Sequence, residues 1–225
     1  FSEYDAKELL ARAGIALPPH RLVTEASGLD AAAAQLGFPL ALKVQSPDLL
    51  HKTEVGGVKL GIGDAAALRQ SYDAMLAELR RRRPEARVQG VLLQPMARAG
   101  VEVILGTIRD PGFGPLVMVG AGGVMTELFK DVAYRLAPVD VDGARRMLDD
   151  LRIARLLSGF RGAPAADIDA LAALVAQLSQ FAADYRDLVQ ELELNPVIVH
   201  PAGAGCTIVD ALLTVAKPAE AAGVR

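Results

Sequence analysis

Two spacings of hydrophobic and polar residues alternate along the chain, one helical and one extended. Ser2-Glu3-Tyr4-Asp5-Ala6-Lys7-Glu8-Leu9-Leu10 starts on a capping serine, carries apolar or aromatic side chains near helical spacing and is stopped by Gly14, which predicts a short amphipathic helix. Pro18-Pro19 starts an extended stretch through Val23, residues 27–36 read as a helix ended by Gly37, and Pro39-Leu40-Ala41-Leu42-Lys43-Val44 reads as a buried strand. Residues 45–57, with Pro47, Asp48, Gly56 and Gly57, are expected as loop, followed by a strand over 58–62 and a long helix from about 64 to 83. Strands are then predicted over 88–94, 101–109 and 115–119, before Gly120-Ala121-Gly122-Gly123 breaks the pattern. Helices over 141–151, 153–157 and 168–185 precede strands over 188–194, 197–199 and 207–211. Successive strands in this second part imply an antiparallel sheet. The pattern changes near residue 90 from a small α/β unit to a larger α+β unit, and a ligand site is expected in a cleft between the two.

Composition narrows the class. A chain of 225 residues, 52% apolar and 23% charged, is long enough to bury real cores and too apolar for disorder. The longest apolar run falls well short of the roughly 20 residues that a bilayer span needs, so no membrane helix is expected. A net charge of −3 and a pI near 5.7 argue against a dedicated nucleic-acid binder. Arg80 to Arg83 form a basic run at the end of the long helix, where cations complement the helix dipole, so it reads as a solvated terminus. The single cysteine, Cys206, leaves no intrachain disulfide or multi-cysteine metal site and fits a reducing cytoplasm. A start at Phe1, with no leader pattern after it, is expected of one piece of a longer polypeptide.

Candidate chemistry sits at a few positions, each with a plainer alternative. Lys43 lies inside an apolar strand, so something anionic must meet its ammonium: a phosphate, or a carboxylate such as Glu54. Gly56-Gly57 let backbone N–H groups approach and wrap phosphate oxygens, or make a tight turn. His51 lies in the same loop, where a neutral imidazole can attack phosphorus; a surface histidine is the bland reading, as it is for His20 and His200. Glu191, Glu193 and Asn195 alternate along a strand expected to end at Pro196, and this row of oxygens, with Asp210 from a following strand, suits Mg²⁺ or a solvent face. Arg135 would offset charge on a transferring phosphoryl group or form a salt bridge. Gly120 to Gly123 before Glu127 offer a second anion nest.

Read in order, these segments resemble the ATP-grasp β subunit or domain of NDP-forming acyl-CoA synthetases, including the ADP-forming acetyl-CoA synthetases, from Ser2 to about Thr214. The resemblance is carried by Ser2-Glu3-Tyr4 with Ala6-Lys7; Pro39 to Lys43; Ser46-Pro47-Asp48 running into Leu50-His51-Lys52 and Gly56-Gly57-Val58; Gln94-Pro95-Met96; Gly100 to Val103; Arg109-Asp110-Pro111 with Phe113-Gly114-Pro115; Gly122-Gly123; and Glu193-Leu194-Asn195-Pro196-Val197. It implies an α+β ATP-grasp fold of two α+β subdomains with the nucleotide cleft between them. The small subdomain would be 20–89, the large one 1–19 with 90–215, and 216–225 a C-terminal tail.

By the same resemblance, Lys43 with Gly56 and Gly57 would contact nucleotide phosphates, Gln94 to Met96 would form the adenine hinge, and Glu102 would hold the ribose hydroxyls. Glu193, Asn195 and Asp210 would serve Mg²⁺, and His51 would be the phosphorylated histidine; in that scheme the catalytic candidate Arg135, with Mg²⁺ and Lys43, would offset the charge gathered around the γ-phosphoryl group. The implied cofactors are ATP/ADP and Mg²⁺, and the implied reaction is acyl-CoA + phosphate + ADP ⇌ carboxylate + CoA + ATP through phosphohistidines. Nothing in the sequence resembles the CoA-binding part, so an α subunit or domain carrying a second histidine is expected as partner, as a hetero-oligomer or a fused chain, in the cytoplasm. The alternatives are a regulatory, ligand-sensing ATP-grasp domain fused to a protein-lysine acetyltransferase and a free-standing ATP-dependent carboxylate ligase.

Overall fold

The computed structural model of the chain describes residues 1–49, 52–123 and 131–216. They fall into two compact units, one up to residue 98 and one from residue 99 on.

The first unit begins with helix α1 (Glu3–Arg12), which Ser2 and Asp5 cap reciprocally, each side chain answering the other's backbone N–H. Strands β1 (Arg21–Val23), β2 (Leu40–Gln45), β3 (Val58–Ile62) and β4 (Gly90–Pro95) form an antiparallel sheet in the order β1-β4-β2-β3. Helices α2 (Leu29–Leu36) and α3 (Ala65–Arg82) pack on one face of it. All six residues of β2 are buried, because both of its faces are covered. Leu40, Leu42 and Val44 join Leu29, Leu68, Met75, Leu79, Val91 and Leu93 in the core under α2 and α3, each large side chain contributing about 2 kcal/mol by leaving water. The intervening Lys43 and Gln45 turn to the opposite face and bond to α1. Asp64 caps α3, and at its other end Arg81 and Arg82 both pair with Glu78, so the basic run is a solvated helix end.

The second unit is built on strands β5 (Val101–Asp110), β6 (Gly114–Ala121), β7 (Val132–Leu136), β8 (Val189–Val199), β9 (Cys206–Ile208) and β10 (Ala211–Val215). Their order is β10-β8-β5-β6-β7, with β9 also on β8, and every ladder is antiparallel. Helices α4 (Val141–Asp149) and α6 (Ile168–Asp184) cover one face, with the short α5 (Ala154–Leu157) between them in sequence. Leu105, Val117, Val119, Leu192 and Leu194 are buried on the sheet side of this layer, and Met147, Leu171, Val175 and Leu178 on the helix side.

Three expectations change. The predicted break at Pro196 is absent, and β8 runs on to Val199. Its ladder with β5 shifts register between Val103 and Leu105, so Asn195 and Pro196 occupy the irregularity where proline's missing N–H is tolerated, while Pro196 O still accepts from Val209 N (3.0 Å). Strand β7, which the periodicity did not show, pairs residues 132–136 with β6. The division also moves: α1 and β4, expected in the larger part, belong to the first unit. Strand β4 lies between β1 and β2, and α1 is tied to that sheet by Glu3, Tyr4 and Lys7. Among the described residues no helix is long and apolar enough to cross a membrane.

Candidate functional site

Lys43 is 3% exposed, and its anionic partner is Glu3 of α1, not Glu54. Strand alternation turns the Lys43 side chain away from the Leu40-Leu42-Val44 core and towards α1, where Nζ donates to Glu3 Oε1 at 2.7 Å. Lys7, one helical turn after Glu3, reaches the same Oε1 at 2.8 Å and also donates to Gln94 Oε1 at 2.5 Å. Lys52 donates to Glu3 Oε2 at 2.5 Å. Burial alone would push the Glu3 carboxyl up, but the ammonium groups of Lys43, Lys7 and Lys52 outweigh it and hold the group far below the usual carboxylate range. Glu3, Lys7 and Lys52 were not singled out as site residues by sequence reasoning. The available signal was the Glu3-Lys7 pair, four apart on the same helical face as Ala6 and Leu10, where buried charge demands partners.

The glycine pair does not present free donors. Gly56 N–H is bonded to Thr53 O (3.1 Å) and Gly57 N–H to Lys52 O (2.7 Å), so the N–H groups expected to wrap phosphate close the turn instead. Gly57 is required by close approach: a Cβ there would lie 2.6 Å from Val44 Cγ1 and 2.9 Å from Lys52 O. At the end of β4, Gln94 is buried against Lys7, and Met96 keeps a partly exposed side chain while its N–H bonds to Pro39 O (3.0 Å). His51 and Glu127 lie outside the described residues.

In the second unit the register gathers the oxygen-bearing candidates. Residues 206–208 and 211–214 pair with β8 in one continuous register that carries Asp210 opposite Asn195. Glu193 is two residues from Asn195 on the same face, and Asn195 Nδ2 donates to Glu193 Oε1 at 3.1 Å. Glu193 pairs with Gly106 of β5, and Glu102 lies on that same alternation of β5, against the start of the 122–123 glycine pair. Asp210 Oδ1 accepts from Ala211 N–H. Carboxylate and amide oxygens so placed are the donor type a hard divalent cation takes. Among the described residues no group of three or more His, Cys, Asp or Glu side chains is assembled as a metal cage.

Arg135 does not join them. It pairs with Val117, hence on the helix-covered face of the sheet, and its guanidinium bonds to Asp150 at 2.5 Å, so the salt bridge is what the structure contains. Arg109 lies 4.0 Å from Asp187. His200 is buried with Nε2 2.8 Å from Thr207 Oγ1, and His20 Nδ1 lies 2.9 Å from Pro18 O, so both serve packing. Burial, reinforced by Asp167, pushes the Cys206 thiol up to about 12, which leaves it inert near neutrality.

A family model described as the ATP-grasp domain matches residues 1–215. The beta subunit of the ADP-forming acetate–CoA ligase II of Pyrococcus furiosus is 37% identical over 212 residues, 93% of this chain and 89% of that protein. The ADP-forming acetate–CoA ligase I of Archaeoglobus fulgidus is 40% identical over 190 residues, 84% of this chain but 27% of that protein. The chain therefore spans most of a separate subunit and a minor part of a longer ligase. Among solved structures, the dinucleotide forming acetyl-coenzyme A synthetase 1 of Ca. Korarchaeum cryptofilum, in complex with coenzyme A, Ca-AMPCP and HgCl⁺, superposes with a TM-score of 0.91 at 36% identity, over 96% of this chain and 93% of that one.

Proposed function

Because the chain belongs to the ATP-grasp family, and within it to the kind represented by beta subunits of ADP-forming acetate–CoA ligases, we propose that it is the nucleotide-binding and phosphoryl-transfer part of an acid–thiol ligase. The reaction would be acyl-CoA + phosphate + ADP ⇌ carboxylate + CoA + ATP, with the phosphoryl group carried on histidine. The observation that supports this reading best is the shared face of Glu193, Asn195 and Asp210, oxygen donors that the β8 register brings together, with Glu102 on the same alternation of the neighbouring β5.

In this reading Lys43 offsets charge on the nucleotide phosphates, and the Glu102 carboxylate accepts from the ribose hydroxyls. Glu193, Asn195 and Asp210 would hold Mg²⁺, which supplies neutralisation of charge on phosphate oxygens when bound. The side chain of His51, as neutral imidazole, takes the terminal phosphoryl group of ATP: a nitrogen–phosphorus bond forms as the bond from phosphorus to the leaving ADP oxygen breaks, and ATP formation from the phosphohistidine and ADP is the reverse. Arg135 has no part in it, since it lies on the other face of its sheet. The partner is a CoA-binding α subunit or domain with a second histidine, and the compartment is the cytoplasm, in keeping with the unpaired thiol of Cys206. Ligases among the relatives favour this over the acetyltransferase-fused regulatory reading.

Thermal unfolding with MgADP tests the proposal. Ligand at about 100 times its dissociation constant is expected to add roughly 2.7 kcal/mol, and His51→Ala is expected to retain that stabilisation while losing acid-labile phosphate. Absence of any shift at millimolar MgADP overturns the nucleotide reading, and phosphate uptake unchanged in His51→Ala removes the histidine from it.

A further inference from the structure

Both oxygens of the Glu3 carboxylate are occupied by lysines that come from three parts of the first unit. Oε1 takes Lys43 of β2 and Lys7 of α1, and Oε2 takes Lys52 of the segment that leads to β3. The Glu3 side chain is 1% exposed, against 0%, 3% and 12% for Lys7, Lys43 and Lys52. We propose that Glu3 is a positioning residue for polyphosphate recognition, its carboxylate holding the ammonium groups of Lys43 and Lys52 in the one arrangement that reads the phosphate chain of a nucleoside di- or triphosphate. This rests on the nucleotide reading of Lys43.

Lysine is a point charge on a flexible four-carbon stem, so its placement has to come from a partner. Glu3 can supply it because its own backbone is fixed. The Ser2–Asp5 capping box closes the first turn of α1, and Tyr4 N–H donates to Gln45 Oε1 at 2.9 Å, which pins that turn to the end of β2. Lys7 then carries the network on to Gln94 of β4. The ammonium groups repel one another, and in a buried site that repulsion is weakly screened; without the carboxylate between them they separate or lose a proton. A carboxylate beside a phosphate site also makes the sign of the effect diagnostic. If bulk charge alone governed affinity, removing the Glu3 charge would tighten phosphate binding. Positioning demands that it weaken.

The experiment is calorimetric titration of the full chain with MgADP and, separately, with adenosine, for the wild type, Glu3→Gln and the double variant Glu3→Gln/Lys7→Met. The double variant keeps the net charge of the wild-type cluster and removes one of the ammonium groups left without its carboxylate, so it carries the test if Glu3→Gln alone does not fold. Both variants are expected to weaken MgADP by about 10-fold or more, a decade being about 1.4 kcal/mol, with adenosine affinity held within about twofold, because only MgADP carries the phosphates that the displaced ammonium groups would meet. MgADP binding that is unchanged or tighter in the variants overturns the positioning role, as does an equal loss for MgADP and adenosine. A wild type that fails to bind MgADP instead overturns the nucleotide reading itself.

Discussion

At the scale of single residues, ionisation is set by what each carboxylate touches. Asp48 accepts two bonds from the Arg87 guanidinium, at 2.7 and 3.0 Å, and one from its backbone N–H at 2.9 Å. Those side-chain bonds, then the backbone bond, lower its carboxyl from 3.8 to about 2. The folded value lies below the unfolded one, so the pair's contribution is complete above about pH 4 and is lost as pH falls through about 2. A carbon-detected NMR titration is expected to give an Asp48 midpoint near 2, and Arg87→Gln to move it part of the way back towards 3.8, the backbone bond remaining. A midpoint unchanged by the substitution would show that the guanidinium is not the cause. Lys43 gives the contrasting lesson: its need for an anion was legible from an apolar strand, but Glu3, forty positions earlier, was not the carboxylate that proximity in sequence suggested.

At the scale of elements, the turn before β3 depends on the glycine pair for two different reasons. Gly56 has φ +73°, a conformation L residues adopt at a cost of roughly 1 kcal/mol, with open space where a Cβ would go apart from Glu78 Cγ at 3.9 Å. Gly57 is instead hemmed in by Val44, which is fully buried in the core of the first unit. Gly57→Ala is therefore expected to cost about 1–3 kcal/mol by overpacking and to lower Tm more than Gly56→Ala does, by about 2–4 °C per kcal/mol. Chemical and thermal unfolding of the two variants checks this, and the reverse order would contradict the packing account. Strand β8 shows the same dependence on context. Pro196 reads as a terminator when only its own ring is considered, yet the change of neighbour from β10 to β9 and the shifted ladder with β5 let the strand pass through it.

For the whole molecule, the two compact units each carry a sheet backed by helices, and each presents a different chemistry: buried ammonium groups around Glu3 in one, a row of oxygen donors in the other. Divalent-ion removal connects that row to global stability. With EDTA, the Tm gain given by nucleotide is expected to fall by more than half, and Asn195→Leu is expected to reproduce that loss in the presence of Mg²⁺ while leaving the ligand-free Tm within about 2 °C, a linkage readable by differential scanning calorimetry. Nucleotide stabilisation that is equal with and without EDTA would detach these oxygens from the ligand. What the amino-acid order determined by itself was local: the capping of α1 by Ser2, the buried β2, the long α3 and α6, and the alternation that puts Glu193 and Asn195 on one face, since caps and periodicity act over a few residues. Its motifs also carried the likeness to ATP-grasp ligases. Only the tertiary structure decided that α1 and β4 complete the first unit, that Lys7 meets Gln94 across 87 positions, that Asp210 stands opposite Asn195, and that Arg135 faces away from them. Ion pairs and strand registers between distant segments follow from which surfaces must leave water together, and no short-range pattern encodes that choice.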